Sequence, residues 1–157
     1  MMKKTLLLSA ILAVCLGACE YQECDVTPDP ETGREGYFGK RLDCSGTMCT
    51  ANFVMIDVEV KSASGAATRL DSFVVTDKSG RALPPSASGL PVFGASDLAG
   101  RYTVLNDAWV AGHEGLGGHF YAKGFQRGVM VFNEEYKISA DCCHLSKISG
   151  KYQIIVP

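Results

Sequence analysis

An alternation of apolar and polar side chains in the segment 52–60 restricts the fold of this chain more than any other feature. Its apolar face carries Val54, Ile56, Val58 and Val60, and its polar face carries Asp57 and Glu59. A period of two is the spacing of a β-strand that buries one face and exposes the other. The segment therefore predicts a half-buried strand, and so a sheet whose inner face faces a core.

Short runs rich in β-branched and aromatic residues recur along the rest of the chain, separated by turn residues such as Gly65 and Gly80. They lie at 70–76, 101–105, 119–125, 129–132, 135–138 and 151–156, with a short edge strand at 92–93. The runs 129–132 and 135–138 are either two strands or one bent strand. Since no segment has a convincing helical period, the pattern predicts an all-β fold. We expect an antiparallel, immunoglobulin-like β-sandwich of about seven strands over residues 44–157.

The N-terminal residues 1–18 have the composition of a secretion signal. Two lysines precede an apolar run that is too short to cross a bilayer, which takes about 20 residues. Residues 16–19 (LGAC) then resemble the bacterial lipobox, whose cysteine is acylated with palmitate-type chains. We therefore expect Cys19 to be the lipid-anchored first residue of the mature protein. An ordinary signal cleaved after Ala18 is the alternative, and would leave Cys19 free or in a disulfide.

Residues 19–43 are expected to form the lipid anchor and a flexible tether, because the stretch is polar and rich in proline and glycine. Acidic residues follow Cys19 and resemble the surface-export signal of Bacteroidota lipoproteins, although a merely solvated tether would look the same. The expected location is the bacterial outer membrane. There the acylated Cys19 would hold the domain on the bilayer, facing the periplasm or the cell surface.

The charge balance argues against nucleic acid as a partner. The chain has 15 basic and 17 acidic residues, a formal net charge of −2. Cleavage of the signal removes two of the lysines and makes the mature chain more acidic. No basic stripe is present, and nucleic-acid-binding domains usually carry one.

Four cysteines of the predicted domain are candidates for disulfides in an exported protein: Cys44, Cys49, Cys142 and Cys143. Adjacent residues of a strand point to opposite faces, so Cys142 and Cys143 should pair with two different partners. One arrangement joins Cys44 and Cys49 to this tandem pair. The other forms a local Cys44–Cys49 loop and brings in Cys24. The spacing does not decide between them.

Two stretches resemble small Bacteroidota lipoproteins with an immunoglobulin-like or carboxypeptidase-regulatory-like domain. In the first, Cys49 leads into the strand at 53–60, followed by Gly65 and the run 70–73 (LDSF). The second is the ending 136–144 (YKISADCCH), whose Asp-Cys-Cys-His motif is the more specific part. The likeness covers residues 44–157. It implies a β-sandwich and an envelope location, and it implies no catalytic residue.

A metal site is the alternative interpretation of the tandem cysteines. Cys142, Cys143 and His144 could bind a metal together with Cys49, Met48 or a loop histidine. Thiolate and thioether ligands favour Cu(I), and mixed cysteine and histidine sets favour zinc. The spacing lacks a CxxC motif, and an oxidising compartment would consume the thiols first.

Other motifs do not indicate catalysis. His113 and His119 are six residues apart across a glycine-rich stretch, which is not the helical HExxH spacing of a metalloprotease, so we expect solvated loop histidines. No GxSxG motif is present. A further set of aromatic residues forms either part of the core or an exposed platform for a glycan or a peptide: Tyr102, Trp109, Phe120 and Tyr121.

These observations together predict a non-catalytic binding or assembly module. It would need no cofactor and would bind an envelope protein or a glycan. The alternative function is a copper- or zinc-handling envelope protein that uses the Cys142, Cys143 and His144 cluster.

Overall fold

A computed structural model describes residues 36–84, 87 and 100–157. The described residues form eight strands, which confirms an all-β fold. They are β1 (Tyr37–Gly39), β2 (Met55–Ser62), β3 (Ser72–Asp77), β4 (Arg101–Asn106), β5 (Leu116–Gln126), β6 (Val129–Ala140), β7 (Leu145–Ser149) and β8 (Gln153–Val156). One 3-10 turn, Asp107–Trp109, follows β4. The predicted edge strand at 92–93 lies outside the described residues. In the described part, no helix is long and apolar enough to span a bilayer.

The larger sheet is built around the long hairpin of β5 and β6. Arg127 and Gly128 form its tight turn, with φ of 50° and 73°, the left-handed conformation that two-residue hairpin turns require. β6 is one continuous strand, so the runs 129–132 and 135–138 belong together. β7 pairs with β6, while β1 and β3 pair with successive halves of the other side of β5.

The smaller sheet has the order β4-β2-β8. β2 and β4 are antiparallel, but β8 runs parallel to β2, from Glu59 opposite Gln153 to Ser62 opposite Val156. The prediction of a wholly antiparallel fold is therefore wrong for β8, and the described residues form eight strands where about seven were expected. A period of two shows which face of a strand is buried, but it contains no information on the direction of the neighbouring strand.

Both sheets contribute side chains to one apolar core. The alternation in β2 is confirmed, because Ile56, Val58 and Val60 are buried in this core. Each large side chain that is fully buried contributes roughly 1.5–3 kcal/mol to folding. The largest of them are Val58, Val60, Val75, Val104, Leu105, Phe120, Tyr136, Ile138 and Val156.

The folded domain begins earlier than the predicted boundary at Cys44. β1 lies inside the segment 19–43 that we expected to be a flexible tether. Tyr37 is buried and stacks on Trp109, with 6.0 Å between the ring centroids. Gly117 makes the approach possible, because a Cβ at that position would overlap the ring of Phe38 in β1. The glycines expected to form a loop at 112–118 therefore lie partly in β5, where the absence of a side chain lets β1 pack closely against that strand.

Two local interpretations also needed correction. The turn expected at Gly65 is present, with the N–H of Ser62 donating to the carbonyl of Ala66. It does not join two strands of one sheet, since β3 pairs with β5 in the larger sheet. β7 was not predicted, because only Leu145 of this short strand is buried and a bulge interrupts its pairing with β6.

Candidate functional site: a groove between the two sheets

An open groove of about 510 Å³ lies where β2 of the smaller sheet approaches β7 of the larger sheet. This volume falls within the range of roughly 300–1,000 Å³ that is usual for ligand sites. The residues that line the groove are Val54, Met55, Ile56, Asp57, Glu59, Arg101, Leu145, Lys147, Tyr152 and Gln153.

One wall of the groove is the backbone of β2 before its contact with β8. The N–H of Glu59 donates to the carbonyl of Tyr152 (2.9 Å), whereas the N–H of Val60 donates to the opposite side, to Gly100 (2.7 Å). Since backbone groups of successive strand residues alternate in direction, Met55 and Asp57 face the same side as Glu59. β8 pairs with β2 only from Glu59 onward. Within the described part of the chain, no strand pairs with β2 at Met55 or Asp57 on this side.

The opposite wall of the groove is the outer edge of β7. This strand pairs with β6 on one side, and among the described residues no strand pairs with its other side. The N–H of Leu145 is already used, because it donates to Oδ1 of Asp107 (2.9 Å). The free part of this edge therefore begins beyond Leu145, at Lys147.

The charged side chains of the groove are largely paired within the chain. Nη2 of Arg101 and Nζ of Lys61 each lie 3.0 Å from an oxygen of Glu59. Their hydrogen bonds, that of Arg101 first, lower the pKa of Glu59. Asp57 accepts a hydrogen bond from the hydroxyl of Thr103 (2.9 Å), and Lys147 lies over the ring of Tyr152. The groove therefore presents apolar and backbone surface between charges that already have partners.

Two disulfides tie the loop before β2 to the turn between β6 and β7. They join Cys44 to Cys142 and Cys49 to Cys143, with sequence separations of 98 and 94 residues. This arrangement agrees with the expectation of two different partners for the tandem pair, and the local Cys44–Cys49 loop is not formed. Loops of this length correspond to about 4–5 kcal/mol of stabilisation in the chain-entropy model. Cys19 and Cys24 lie outside the described residues.

Asp107 connects the two walls of the groove at their disulfide-tied end. Its carboxylate accepts hydrogen bonds from the N–H of Val54 (2.8 Å), the N–H of Leu145 (2.9 Å) and Nδ1 of His144 (2.7 Å). With Nδ1 donating, Nε2 of His144 accepts from the hydroxyl of Thr50 (2.9 Å). The Asp107 side chain is nearly buried, at 7 % exposure. One carboxylate therefore fixes the residue before β2 relative to the start of β7.

Asp107 and Thr50 were not found from the sequence. The only local signal was the Asn106-Asp107 pair after a predicted strand, which indicates a turn. Nothing near Asp107 in the sequence indicates that its partners lie at Val54 and Leu145. His144 was a candidate from its place beside the tandem cysteines, but as a metal ligand and not as a hydrogen-bonded link.

The turn that carries the tandem cysteines is held by Asp141. Its carboxylate accepts the N–H groups of Cys143 (2.6 Å) and His144 (2.7 Å). These two hydrogen bonds, that of Cys143 first, lower the pKa of Asp141. The Asp-Cys-Cys-His motif thus forms a compact turn that directs two sulfurs and one imidazole to three different partners.

Except for Met48, which is 94 % exposed, the proposed metal ligands are engaged in other contacts. The sulfurs of Cys142 and Cys143 are in disulfides, and both ring nitrogens of His144 are hydrogen-bonded. In the described ranges, no group of three or more His, Cys, Asp or Glu side chains is arranged to hold a metal ion. A metal at this cluster would therefore require reduction of both disulfides.

The two other histidines are both in contact with other groups, and only His113 lies in a loop. His113 stacks on Trp109 at 4.2 Å, and its Nδ1 lies 2.8 Å from the carbonyl oxygen of the same tryptophan. His119 lies in β5, with its Nδ1 2.7 Å from Glu135. The glycine-rich spacing gave no sign of these partners. Trp109 reaches His113 through the 3-10 turn, and Glu135 reaches His119 across the β5–β6 hairpin.

The aromatic residues near the glycine-rich stretch belong mainly to the core. Tyr102, Trp109 and Phe120 are buried, and the Tyr102 hydroxyl accepts the N–H of Leu70. Tyr121 donates its hydroxyl to Glu135 on the neighbouring strand. These residues therefore do not form an exposed platform for a glycan.

Comparison with known proteins identifies no relative of this chain. The chain matches no protein-family model, no curated protein and no solved structure.

Proposed function

We propose that this protein is a membrane-anchored lipoprotein of the bacterial cell envelope, and that its domain is a non-catalytic binding or assembly module. The two sheets form an immunoglobulin-like β-sandwich, and the groove between β2 and β7 is its binding surface. The observation that carries this proposal is the groove itself, a ligand-sized opening bordered by the edge strand β7 and by the part of β2 that β8 does not cover.

The location follows from the N-terminal residues. The secretion signal and the lipobox-like residues 16–19 support acylation of Cys19 and attachment to the outer membrane, facing the periplasm or the cell surface. The two disulfides support the same location, since disulfides persist mainly in oxidising compartments. The likeness to small Bacteroidota lipoproteins fits a protein of this kind.

Binding is favoured over catalysis by the chemistry of the groove. Its lining residues include no serine, threonine, cysteine or histidine, and its two carboxylates are already paired, Glu59 with Arg101 and Lys61 and Asp57 with the hydroxyl of Thr103. Its walls are held rigidly by the disulfides and by Asp107, which is the preorganisation that a binding surface needs.

The anchor is tested by metabolic labelling with radioactive palmitate. We expect the wild-type chain to be labelled and to sediment with the outer membrane, and the Cys19→Ala variant to be unlabelled. Cys24→Ala is the matched control and should keep both properties. Equal labelling of the wild type and Cys19→Ala would contradict the proposed anchor.

The binding surface is tested by a photo-crosslinking residue introduced in place of Tyr152, which is 74 % exposed at the groove. The control places the same residue at Val129, which is 64 % exposed in the β5–β6 hairpin and does not line the groove. We expect a discrete adduct in intact cells from position 152 alone. Identical adducts from both positions, or none from position 152, would contradict a groove-centred function.

A further inference from the structure

We propose that the disulfide-tied end of the domain is a membrane-contact surface, on which Leu42, Met48 and Phe53 enter the interface of the bilayer that holds the anchor. This inference rests on the proposed attachment through Cys19 and deepens it, because it states which end of the domain faces the lipid. The partner is the bilayer itself, contacted at its acyl boundary.

The loop between β1 and β2 covers one end of both sheets. The N–H of Leu42 donates to the carbonyl of Glu114 (3.0 Å), just before β5 begins. The two disulfides tie the same loop to the turn between β6 and β7. The N–H of Val54 donates to Asp107, just after β4 ends. Since β4 and β6 end here and β2, β5 and β7 begin here, the loop lies across a single end of the domain.

This loop leaves three apolar side chains in solvent within a short stretch. Met48 is 94 % exposed, Phe53 61 % and Leu42 49 %. Single exposed apolar residues are common on protein surfaces, but a group of them on one element marks a contact surface. The disulfides and the contact of Val54 fix the loop, so these side chains cannot enter the core without breaking those links. The structure therefore holds an apolar surface ready at this end.

The chain that leads to the anchor joins the domain near the same end. The carbonyl of Gly36 accepts the N–H of His119 (3.3 Å), which lies three residues from the start of β5 and seven from its end. At about 3.3 Å per residue, this point is roughly 10 Å from the disulfide-tied end and roughly 23 Å from the hairpin turn.

The length of chain before Gly36 favours contact by the nearer end. Sixteen residues separate Cys19 from Gly36. A flexible chain of this length has an average end-to-end distance of about 20–24 Å. Contact by the disulfide-tied end would leave that chain slack, whereas contact by the hairpin turn would take up its whole average length. The tether length therefore identifies the bilayer as the surface that meets the loop.

The charges at this end do not favour a contact made by electrostatic attraction. Lys40 and Arg41 are accompanied by three acids, Asp43, Glu114 and Asp141. Each of the three carboxylates accepts at least one backbone N–H from its own turn. Backbone donors that are paired in this way can approach a lipid surface at a lower desolvation cost. The contact is therefore expected to be apolar and to tolerate salt.

The test uses the acylated full chain in phosphatidylcholine vesicles whose acyl chains carry bromine, a quencher of tryptophan fluorescence. Phe53→Trp places a probe in the contact surface, and Val129→Trp places one beside the hairpin turn, at 64 % exposure. The signal of Trp109 is common to both and is subtracted with the wild type. Relative to unbrominated vesicles, Phe53→Trp fluorescence should fall roughly twofold, because interfacial side chains lie about 5–10 Å deep. Val129→Trp fluorescence should not change.

A second set of variants separates apolar contact from mere proximity. In the Phe53→Trp chain, Leu42→Ser and Met48→Ser should reduce the quenching roughly twofold or more, since they remove apolar area from the interface. The matched control replaces Val129 and Met130, the exposed pair beside the hairpin turn, with serine and should leave the quenching unchanged. Quenching should also persist at about 1 M salt, where the Debye length is only about 3 Å. Denaturant midpoints verify that the variants fold.

The outcomes separate this inference from the attachment on which it rests. A wild-type chain that carries no acyl group and does not float with the vesicles would show that both proposals are wrong. A chain that floats, but whose Phe53→Trp probe is not quenched or whose Val129→Trp probe is quenched instead, would overturn the contact surface and leave the anchor. Quenching that ignores the serine substitutions would also overturn it, because the tether alone would then explain the proximity.

Discussion

The β5–β6 hairpin and the groove end of the domain are held together by different means. The hairpin joins neighbours in the sequence through a two-residue turn and a ladder from Gly117 to Gln126. The groove end joins β2 to β7 and β8, which are nearly a hundred residues away, through two disulfides, one carboxylate and a short parallel pairing. The hairpin depends on local backbone preference, whereas the groove end depends on a few specific links that have no local substitute.

The largest effect is expected when both covalent links are removed from the groove end. Replacement of Cys44, Cys49, Cys142 and Cys143 by serine leaves no free partner thiol and opens the long loop that either bridge alone would keep closed. The free energy of unfolding should fall by about 4–5 kcal/mol, as measured by denaturant titration. Amide exchange should accelerate in β2 and β7 more than in β5 and β6. An unchanged melting temperature under oxidising conditions would show that the bridges are dispensable.

Asp107→Asn should cost somewhat less, about 3 kcal/mol, because hydrogen bonds to a charged acceptor contribute roughly 1.5–3 kcal/mol each. The asparagine amide would also direct a donor at one of the three donors that now meet the carboxylate. Asp43→Asn is the control, since Asp43 is exposed and accepts one N–H, that of Ser45. Equal losses of unfolding free energy in the two variants would contradict the role of Asp107 in linking the two walls of the groove.

The turns of the two regions should differ in their tolerance of a side chain. Gly150→Ala, between β7 and β8, should cost about 2–3 kcal/mol, because φ is +123° and a Cβ would overlap the buried ring of Tyr136. Gly128→Ala, in the hairpin turn, should cost about 1 kcal/mol, since φ is +73° but the space is open. Denaturant midpoints of the two variants check the order. A larger loss of stability in Gly128→Ala than in Gly150→Ala would contradict the overlap with Tyr136.

The smallest effect concerns pH. The backbone N–H groups of Cys143 and His144 lower the pKa of Asp141 in the folded protein. Its carboxylate therefore stabilises the fold at neutral pH, and this contribution is lost as the pH falls below about 4. Asp141→Asn should melt slightly below the wild type at pH 7, and the gap should close at pH 3. A difference in melting temperature that grows at low pH would contradict a stabilising role of the Asp141 carboxylate at neutral pH.

The sequence predicted best those parts whose information is local. The alternation in β2, the strands β3, β4 and β5, and the turns at Gly65 and Gly80 all depend on side chains close together in the chain. The tandem cysteines could be assigned two partners from strand geometry, although not which partners. These elements were enough to establish the all-β class.

The remaining features arise from contacts that no local pattern contains. β1 is ordered because Tyr37 reaches Trp109, and β8 is parallel because the chain crosses between sheets before its last strand. The groove shows the same limit. Met55 and Asp57 were expected on the outer side of a strand, but their lack of a neighbouring strand depends on where β8 begins. The role of Asp107 could not be predicted, because its partners Val54 and Leu145 are far from it in the sequence and meet only in the folded chain.

The Cys44–Cys142 bridge also defines a route for mechanical tension. Under the proposed anchor, a pull from the membrane enters the domain at β1 and first strips this three-residue strand from β5. At Cys44 the tension crosses the sulfurs to Cys142 and arrives three residues before β7, without loading the 98-residue span between them. A partner seated against β7 would thus be coupled to the bilayer by a covalent strap, and the hydrophobic core would bear little of the load.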